Sequence, residues 1–222
     1  MTDIVLIGPP GVGKGTQALV LADRAGLTHL ASGDLLRASI RDETVLGLLA
    51  KTYVDSGRLV PDELVVDMMV DRMLSAGDTL LDGFPRTVAQ AEELEERLGR
   101  VRRRIDAAVL LTAPRLTLIR RIVGRRSCRA CQAQYNTYFA PSRVEGICDA
   151  CGGELVTRSD DNATTAQLRL EVYDNQTAPL VEHYRAAGVL REIDGTGDPD
   201  EVAGRIAASL SVAAAEPKVG PP

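Results

Sequence analysis

The chain has 222 residues, of which 45% are apolar and 26% charged, with a formal net charge of −5; that balance fits one globular core with room for an insertion. The acidic excess argues against general binding to nucleic acid or to a membrane surface, and no apolar run approaches the roughly 18 residues of a transmembrane span. Aromatics make up only 3% and Trp is absent, so the core has to be built from Leu, Val, Ile and Ala. The opening MTDIVLIGPP carries no basic leader, and the cytoplasm is the expected location.

In chain order, short apolar runs at 3–8, 28–32, 78–83, 105–112 and 189–195 read as strands. Between and after them, helical patterns lie near 14–24, 34–55, 61–75, 87–98, 114–124, 161–186 and 199–213. Strands alternating with helices indicate an α/β protein with a mostly parallel sheet. Two intervals give that sheet no strand. Residues 33–60 are too helical for a simple crossover and 125–160 are too long and polar, so both read as excursions from the core. The basic run RVRRR at 100–104 is expected to be a solvated loop and EELEE at 92–96 an exposed helix face. The Pro/Gly-rich tail EPKVGPP at 216–222 is expected to fray. The two histidines, His29 and His183, have no partner at ligand spacing and are expected to be structural.

The first strand runs directly into GPPGVGKGT, residues 8–16, and then into a helix. This is the G-x-x-x-x-G-K pattern of a phosphate-binding loop, except that Gly15 stands where Ser or Thr usually follows the lysine. Gly11, Gly13 and Gly15 let backbone N–H groups converge on phosphate oxygens. The helix N-terminus adds its dipole, and Lys14 supplies a point charge. The plain alternative is a Gly-rich strand-to-helix turn.

All four cysteines fall in one segment, Cys128-x2-Cys131-x16-Cys148-x2-Cys151. Each Cys-x-x-Cys turn can present two thiolates to one tetrahedral ion, so the spacing favours structural zinc. Two disulfides or a dithiol switch are the rival readings. Four protein ligands leave no open coordination position, and such a metal would hold together an excursion with too few apolar residues for a core.

Further landmarks follow in a fixed order: ASGDLLR (31–37), SGRLVPDELV (56–65), LLDGFPRT (80–87) with Gln90, LIRRIVGRR (118–126), TRSDD (157–161), LRLEVYDNQTAPLVEHY (168–184) and DGTG (194–197). With the GKGT loop they give the chain a resemblance, over about residues 1–210, to the adenylate kinases with a long, zinc-bearing lid. The resemblance implies a P-loop five-stranded parallel sheet with the core in 1–30, 61–123 and 162–214. It also implies a helical AMP-binding excursion over 31–60, a lid over 124–161 and a disordered tail over 215–222.

The implied reaction is reversible, Mg²⁺-dependent phosphoryl transfer, ATP + AMP to 2 ADP, by a monomer. It implies ATP contacts from Gly11, Val12, Gly13, Lys14, Gly15, Thr16, Arg125, Gln134, Tyr135 and Gly197, the last standing where many relatives carry Lys. For AMP it implies Ser32, Arg37, Arg58, Leu59, Val60, Gly83, Phe84, Pro85, Arg86, Gln90, Arg158 and Arg169. Lys14, Arg86, Arg121, Arg125, Arg158 and Arg169 are the implied catalytic cations, and Asp82 would hold Mg²⁺ through water. Guanidinium groups suit such work because they stay charged and grip phosphate bidentately. For Ser32 a helix N-cap is the alternative use, and for Asp82 a cap on the following turn. Another monophosphate acceptor, or GTP as donor, is a close second reading. A zinc-ribbon ATPase module acting on a macromolecule is the distant one.

Overall fold

The computed structural model describes residues 2–215; the segment 216–222, where a frayed tail is expected, lies outside them. Five strands form the main sheet: β1 (Asp3–Ile7), β2 (Thr28–Ala31), β3 (Thr79–Asp82), β4 (Ala107–Thr112) and, near the C-terminus, β8 (Leu190–Asp194). They pair in the order β2-β3-β1-β4-β8, every pair parallel. All five strand expectations hold.

Strands covered on both faces need apolar residues at every position, and β1 is buried throughout. Its side chains alternate between two cores: Val5 and Ile7 enter one, Ile4 and Leu6 the other. Leu81 and Leu80 of β3 divide the same way, as do Ala108 and Val109 of β4. The first core is closed by α4 (Asp62–Ser75), α5 (Val88–Arg100) and α8 (Pro179–Ala186), the second by α1 (Lys14–Ala25), α6 (Arg115–Val123), α7 (Ala163–Val172) and α9 (Pro199–Ala215).

Two long helices expected from the sequence are broken. The stretch 34–55 is a hairpin of α2 (Ser32–Arg41) and α3 (Val45–Ser56). Thr44 accepts a hydrogen bond from Gly47 N at 3.1 Å and so starts the second helix. Gly47 is where the two helices meet: a Cβ there would collide with the Ser39 carbonyl, so only glycine allows this approach. The stretch 161–186 is α7 and α8 joined by a wide π-turn over Tyr173–Thr177.

The interval 125–160 holds a small antiparallel sheet, β6-β5-β7, built from Arg125–Cys128 (β5), Gln134–Asn136 (β6) and Leu155–Val156 (β7). Strands of two to four mostly polar residues carry no apolar alternation, so sequence patterning misses them.

The run at 100–104 is not simply a solvated loop. Arg103 turns inward, its side chain only 7% exposed, and grips the buried Asp3 carboxylate with Nη2 at 2.6 Å and Nε at 3.0 Å. Its Nη1 caps the end of α4 through the Met73 carbonyl at 2.7 Å. Thr79 adds a hydroxyl to Asp3 at 2.5 Å. One arginine thus ties the start of β1 to α4 and β3, and breaking such a buried pair from one side costs about 3–5 kcal/mol.

Candidate active site

The loop after β1 binds its own lysine. Lys14 Nζ donates to the Gly8 carbonyl at 2.6 Å and the Pro9 carbonyl at 3.1 Å. Gly11 and Gly13 have φ of 82° and 111°, and a Cβ on Gly11 would strike the Leu118 carbonyl. Those two positions demand glycine, and they leave the backbone at the start of α1 open to an anion. Val12 is buried, with its carbonyl taken by Arg121, while Gly15 and Thr16 are exposed on the first turn of α1.

Asp82 ends β3 beside this loop. It caps no turn. A Cβ at Gly15 would lie 3.4 Å from its Oδ2, and His29 Nε2 is 3.6 Å from the same oxygen. Burial works to raise its carboxyl, but His29, Lys14 and Arg86 outweigh that and hold it below the usual carboxylate range. His29 therefore faces the site after all. An ionised carboxylate that makes no full ion pair fits the water-mediated holding of a hydrated divalent cation.

Around Lys14 and Asp82 the chain gathers more positive charge. Burial pushes Lys14 down to about 8, opposed by Asp82 and reinforced by Arg86, Arg169 and Arg125. Arg86, its Nε bonded to the Gly83 carbonyl at 2.7 Å, is lowered to about 10 by burial and then by Arg169 and Arg37. Arg158 is lowered to about 10 by burial and by Arg37 and Arg125. Burial also lowers Arg169. Five expected arginines and Lys14 thus sense one another across a common cleft. Arg121 sits apart, bonding the Val12 carbonyl at 2.8 Å and the Gly195 carbonyl at 3.0 Å, with Phe139 5.7 Å away across its guanidinium.

Two carboxylates offset part of this charge. Asp161, wholly buried, accepts from Arg125 Nε at 2.7 Å and also from Arg125 Nη2, while Asp160 accepts from Arg169 at 2.9 Å. Burial disfavours the Arg125 charge, but Asp161 more than compensates and raises it. Neither aspartate was among the expected site residues. An Asp-Asp pair after an arginine is visible in TRSDD, but what it faces depends on where the fold places Arg125 and Arg169.

A pocket opens from the cleft between α2, α3 and the ends of β3 and α5. Ser32, Arg37, Arg58, Leu59, Val60, Gly83, Arg86, Gln90 and Arg169 line it, as do the unexpected Leu36, Val54, Val65 and Asp160. Ser32 makes no helix cap; its hydroxyl donates to the Gly83 carbonyl at 2.5 Å. Phe84 is fully buried in the first core, and neither it, Pro85 nor Arg158 lines the pocket. Arg37 pairs with Asp34, and Arg58 lies against Tyr53.

In the small sheet, the four cysteine Sγ atoms lie within 4.8 Å of one another. The Cys128–Cys151 and Cys131–Cys148 separations are each 3.5 Å, near the roughly 3.8 Å edge of a tetrahedron with 2.3 Å Zn–S bonds. The two turns match: Gln132 and Gly152, each just past a Cys-x-x-Cys, have φ of 61° and 73°. The cluster can hold a metal ion. Tyr135 points its hydroxyl here, accepting from Asp149 N at 2.9 Å with Cys148 Sγ at 3.5 Å. Gln134 bonds Ser127 and the Gln132 carbonyl. At the far end of the main sheet Gly197 has φ of 99°, and Arg205 holds the Thr196 carbonyl beside it.

A phosphate loop at the switch point of a parallel sheet, facing converging arginines, defines a P-loop nucleotide-binding protein. The family profile described as adenylate kinase matches residues 6–189. The chain is 49% identical over 203 residues to an adenylate kinase of Carboxydothermus hydrogenoformans, covering 90% of this chain and 94% of that one. It is 48% identical over 211 residues to an adenylate kinase of Geobacter sp. strain M21, covering 94% and 99%. An adenylate kinase of Lachnospira eligens is 48% identical over 202 residues, covering 90% and 95%. The chain belongs to the adenylate kinase family.

Lys14 carries a consequence for pH. Burial pushes the free lysine down to about 8, whereas a polyphosphate bound against it would favour the ammonium. Affinity for a nucleotide polyphosphate therefore falls as pH rises through about 8, and binding near pH 9 takes up a proton. Calorimetry in buffers of different ionisation enthalpy reads that proton directly. Equal affinity on both sides of pH 8 with no proton uptake would contradict a depressed lysine.

Proposed function

We propose that the chain catalyses reversible phosphoryl transfer from Mg·ATP to AMP, giving two ADP, by direct in-line displacement between two bound nucleotides. The observation that carries this reading is the crowding of Lys14, Arg86, Arg37, Arg125, Arg158 and Arg169 into one cleft where burial depresses several of them. Such a cluster asks for a polyanion longer than one phosphate. The AMP phosphate is already an anionic nucleophile, so no general base is required; positioning and charge neutralisation do the work.

In this reading the loop at Gly11–Thr16 holds the ATP phosphates, with Lys14 leaving the Gly8 and Pro9 carbonyls for phosphate oxygens. Arg37 and Arg86 hold the AMP phosphate, and the pocket beside Ser32, Val60 and Gln90 takes its base. Arg125 and Arg169 exchange part of their pairing with Asp161 and Asp160 for phosphate, and Arg158 closes in with them. The aspartates keep the arginines aimed while the cleft is empty. Arg121 fixes the loop through Val12 and Gly195 and flanks the ATP side with Gly197. Mg²⁺, arriving with ATP and held by Asp82 through water, would neutralise charge on the phosphates.

Residues 31–60 then form the AMP-binding excursion and 124–161 a lid that shuts water out, since water is a competing acceptor. Cys128, Cys131, Cys148 and Cys151 would hold a structural Zn²⁺, stiffening a lid that has few buried apolar residues. Gln134 and Tyr135 contribute to the ATP side through the lid's shape, since their polar ends are engaged within it. The reading is of a monomer acting in the cytoplasm; no described helix is long and apolar enough to cross a membrane.

The deciding assay is ADP formation from ATP with AMP added or omitted. The reading predicts ADP formation that depends on AMP; equal release of ADP and inorganic phosphate without AMP would sink it. For the lid, Cys128→Ser is expected to lose bound zinc and lower the melting temperature while keeping some turnover. Unchanged metal content and melting temperature would count against a structural ion.

A further inference from the structure

Asp62 is the first residue of α4, where an acidic side chain ordinarily serves its own helix N-terminus. Here the carboxylate reaches across to α5. Its Oδ1 accepts from Gln90 Nε2 at 2.6 Å and its Oδ2 accepts from Thr87 Oγ1 at 2.9 Å. Thr87 caps α5 and accepts from Gln90 N at 3.1 Å. On the other side, Gln90 Oε1 accepts from Arg86 N at 2.7 Å. Gln90 itself is only 2% exposed and lines the pocket.

These partners dictate which way round the Gln90 amide sits. An ionised carboxylate only accepts and a backbone N–H only donates. Turning the amide over would set oxygen against the Asp62 carboxylate and NH₂ against the Arg86 N–H. In a buried site both contacts are costly. The amide has two N–H donors and two acceptor sites, and one of each is taken. One donor and one acceptor, in fixed order, are left for a base.

We propose that Asp62 is a specificity-determining positioning residue that locks the Gln90 amide and so makes the pocket select adenine over hypoxanthine and guanine. The inference rests on Gln90 facing the acceptor base, as proposed above. Adenine offers a ring-nitrogen acceptor beside an amino donor. Hypoxanthine and guanine offer the reverse, an N–H donor beside a carbonyl acceptor. A glutamine free to turn over would serve both patterns; a pinned one serves only the first. Cytosine has adenine's order of groups, so this lock does not act against it.

The test compares AMP, IMP and CMP as acceptors in the full-length wild type and in Asp62→Asn, whose side chain can donate as well as accept. The AMP-over-IMP preference in kcat/KM is expected to fall about tenfold, because the reversed amide then meets a donor at position 62 and only the Arg86 N–H still opposes it. The CMP-to-AMP ratio should move by less than about threefold. An unchanged AMP-over-IMP preference overturns the lock, and so does a parallel collapse of both ratios, which marks a loosened pocket. A wild type that uses none of the three acceptors overturns the functional reading, and the lock with it. Should Asp62→Asn fail to fold, side-chain amide NMR of the wild type decides: a Gln90 Nε2 proton protected from solvent exchange supports the lock, and exchange as fast as an exposed glutamine overturns it.

Discussion

Like charges forced together away from water are the constraint on which this molecule turns. Lys14, Arg86, Arg158 and Arg169 all have their positive forms disfavoured by burial, and several of them penalise one another. Asp160 and Asp161 relieve part of that cost, which is why two adjacent carboxylates are themselves buried. A chain of phosphates in the cleft would relieve more of it, and ligand binding and charge relief would then be one event. Catalysis of this kind would need little else, because the charges are gathered before the phosphates arrive and have only to exchange one set of partners for another.

The fold supplies cations from distant parts of the chain. β1 and β3 lie side by side, and both end at the cleft, one with the phosphate loop and the other with Asp82. The α2–α3 hairpin brings Arg37 and the α4–α5 corner brings Asp62 and Gln90. The small sheet is bounded by Arg125 at its start and Arg158 just past its last strand, so any movement of that sheet moves both guanidinium groups. A metal ion held by the four cysteines would make such a body stiff without requiring a core of its own.

What could be read from the sequence was whatever is local. Apolar runs located all five strands because a sheet covered on both faces requires them, and the glycines around Lys14 report a backbone shape over nine residues. Long-range pairings left no such trace. Arg103 looked solvated because its partner Asp3 is a hundred residues away, and Asp62 looked like an ordinary helix-start acid until α5 was placed beside it. The α2–α3 break escaped notice because Asp42-Glu43-Thr44 carries neither Pro nor Gly, although Glu43 takes a φ of 50°. The site residues come from ordered landmarks rather than from pattern; TRSDD contains Asp160 and Asp161 without showing that they pair with Arg169 and Arg125, and no landmark contains His29, which lies beside Asp82.

Dinucleotides with two adenosines joined by phosphate chains of increasing length probe the converging charges most directly. If Lys14 and the arginines serve one phosphate chain shared by two nucleosides, the compound with five phosphates should bind on the order of a hundredfold tighter than ATP or AMP alone, with shorter chains weaker. Binding of the five-phosphate compound no tighter than ATP would contradict the account.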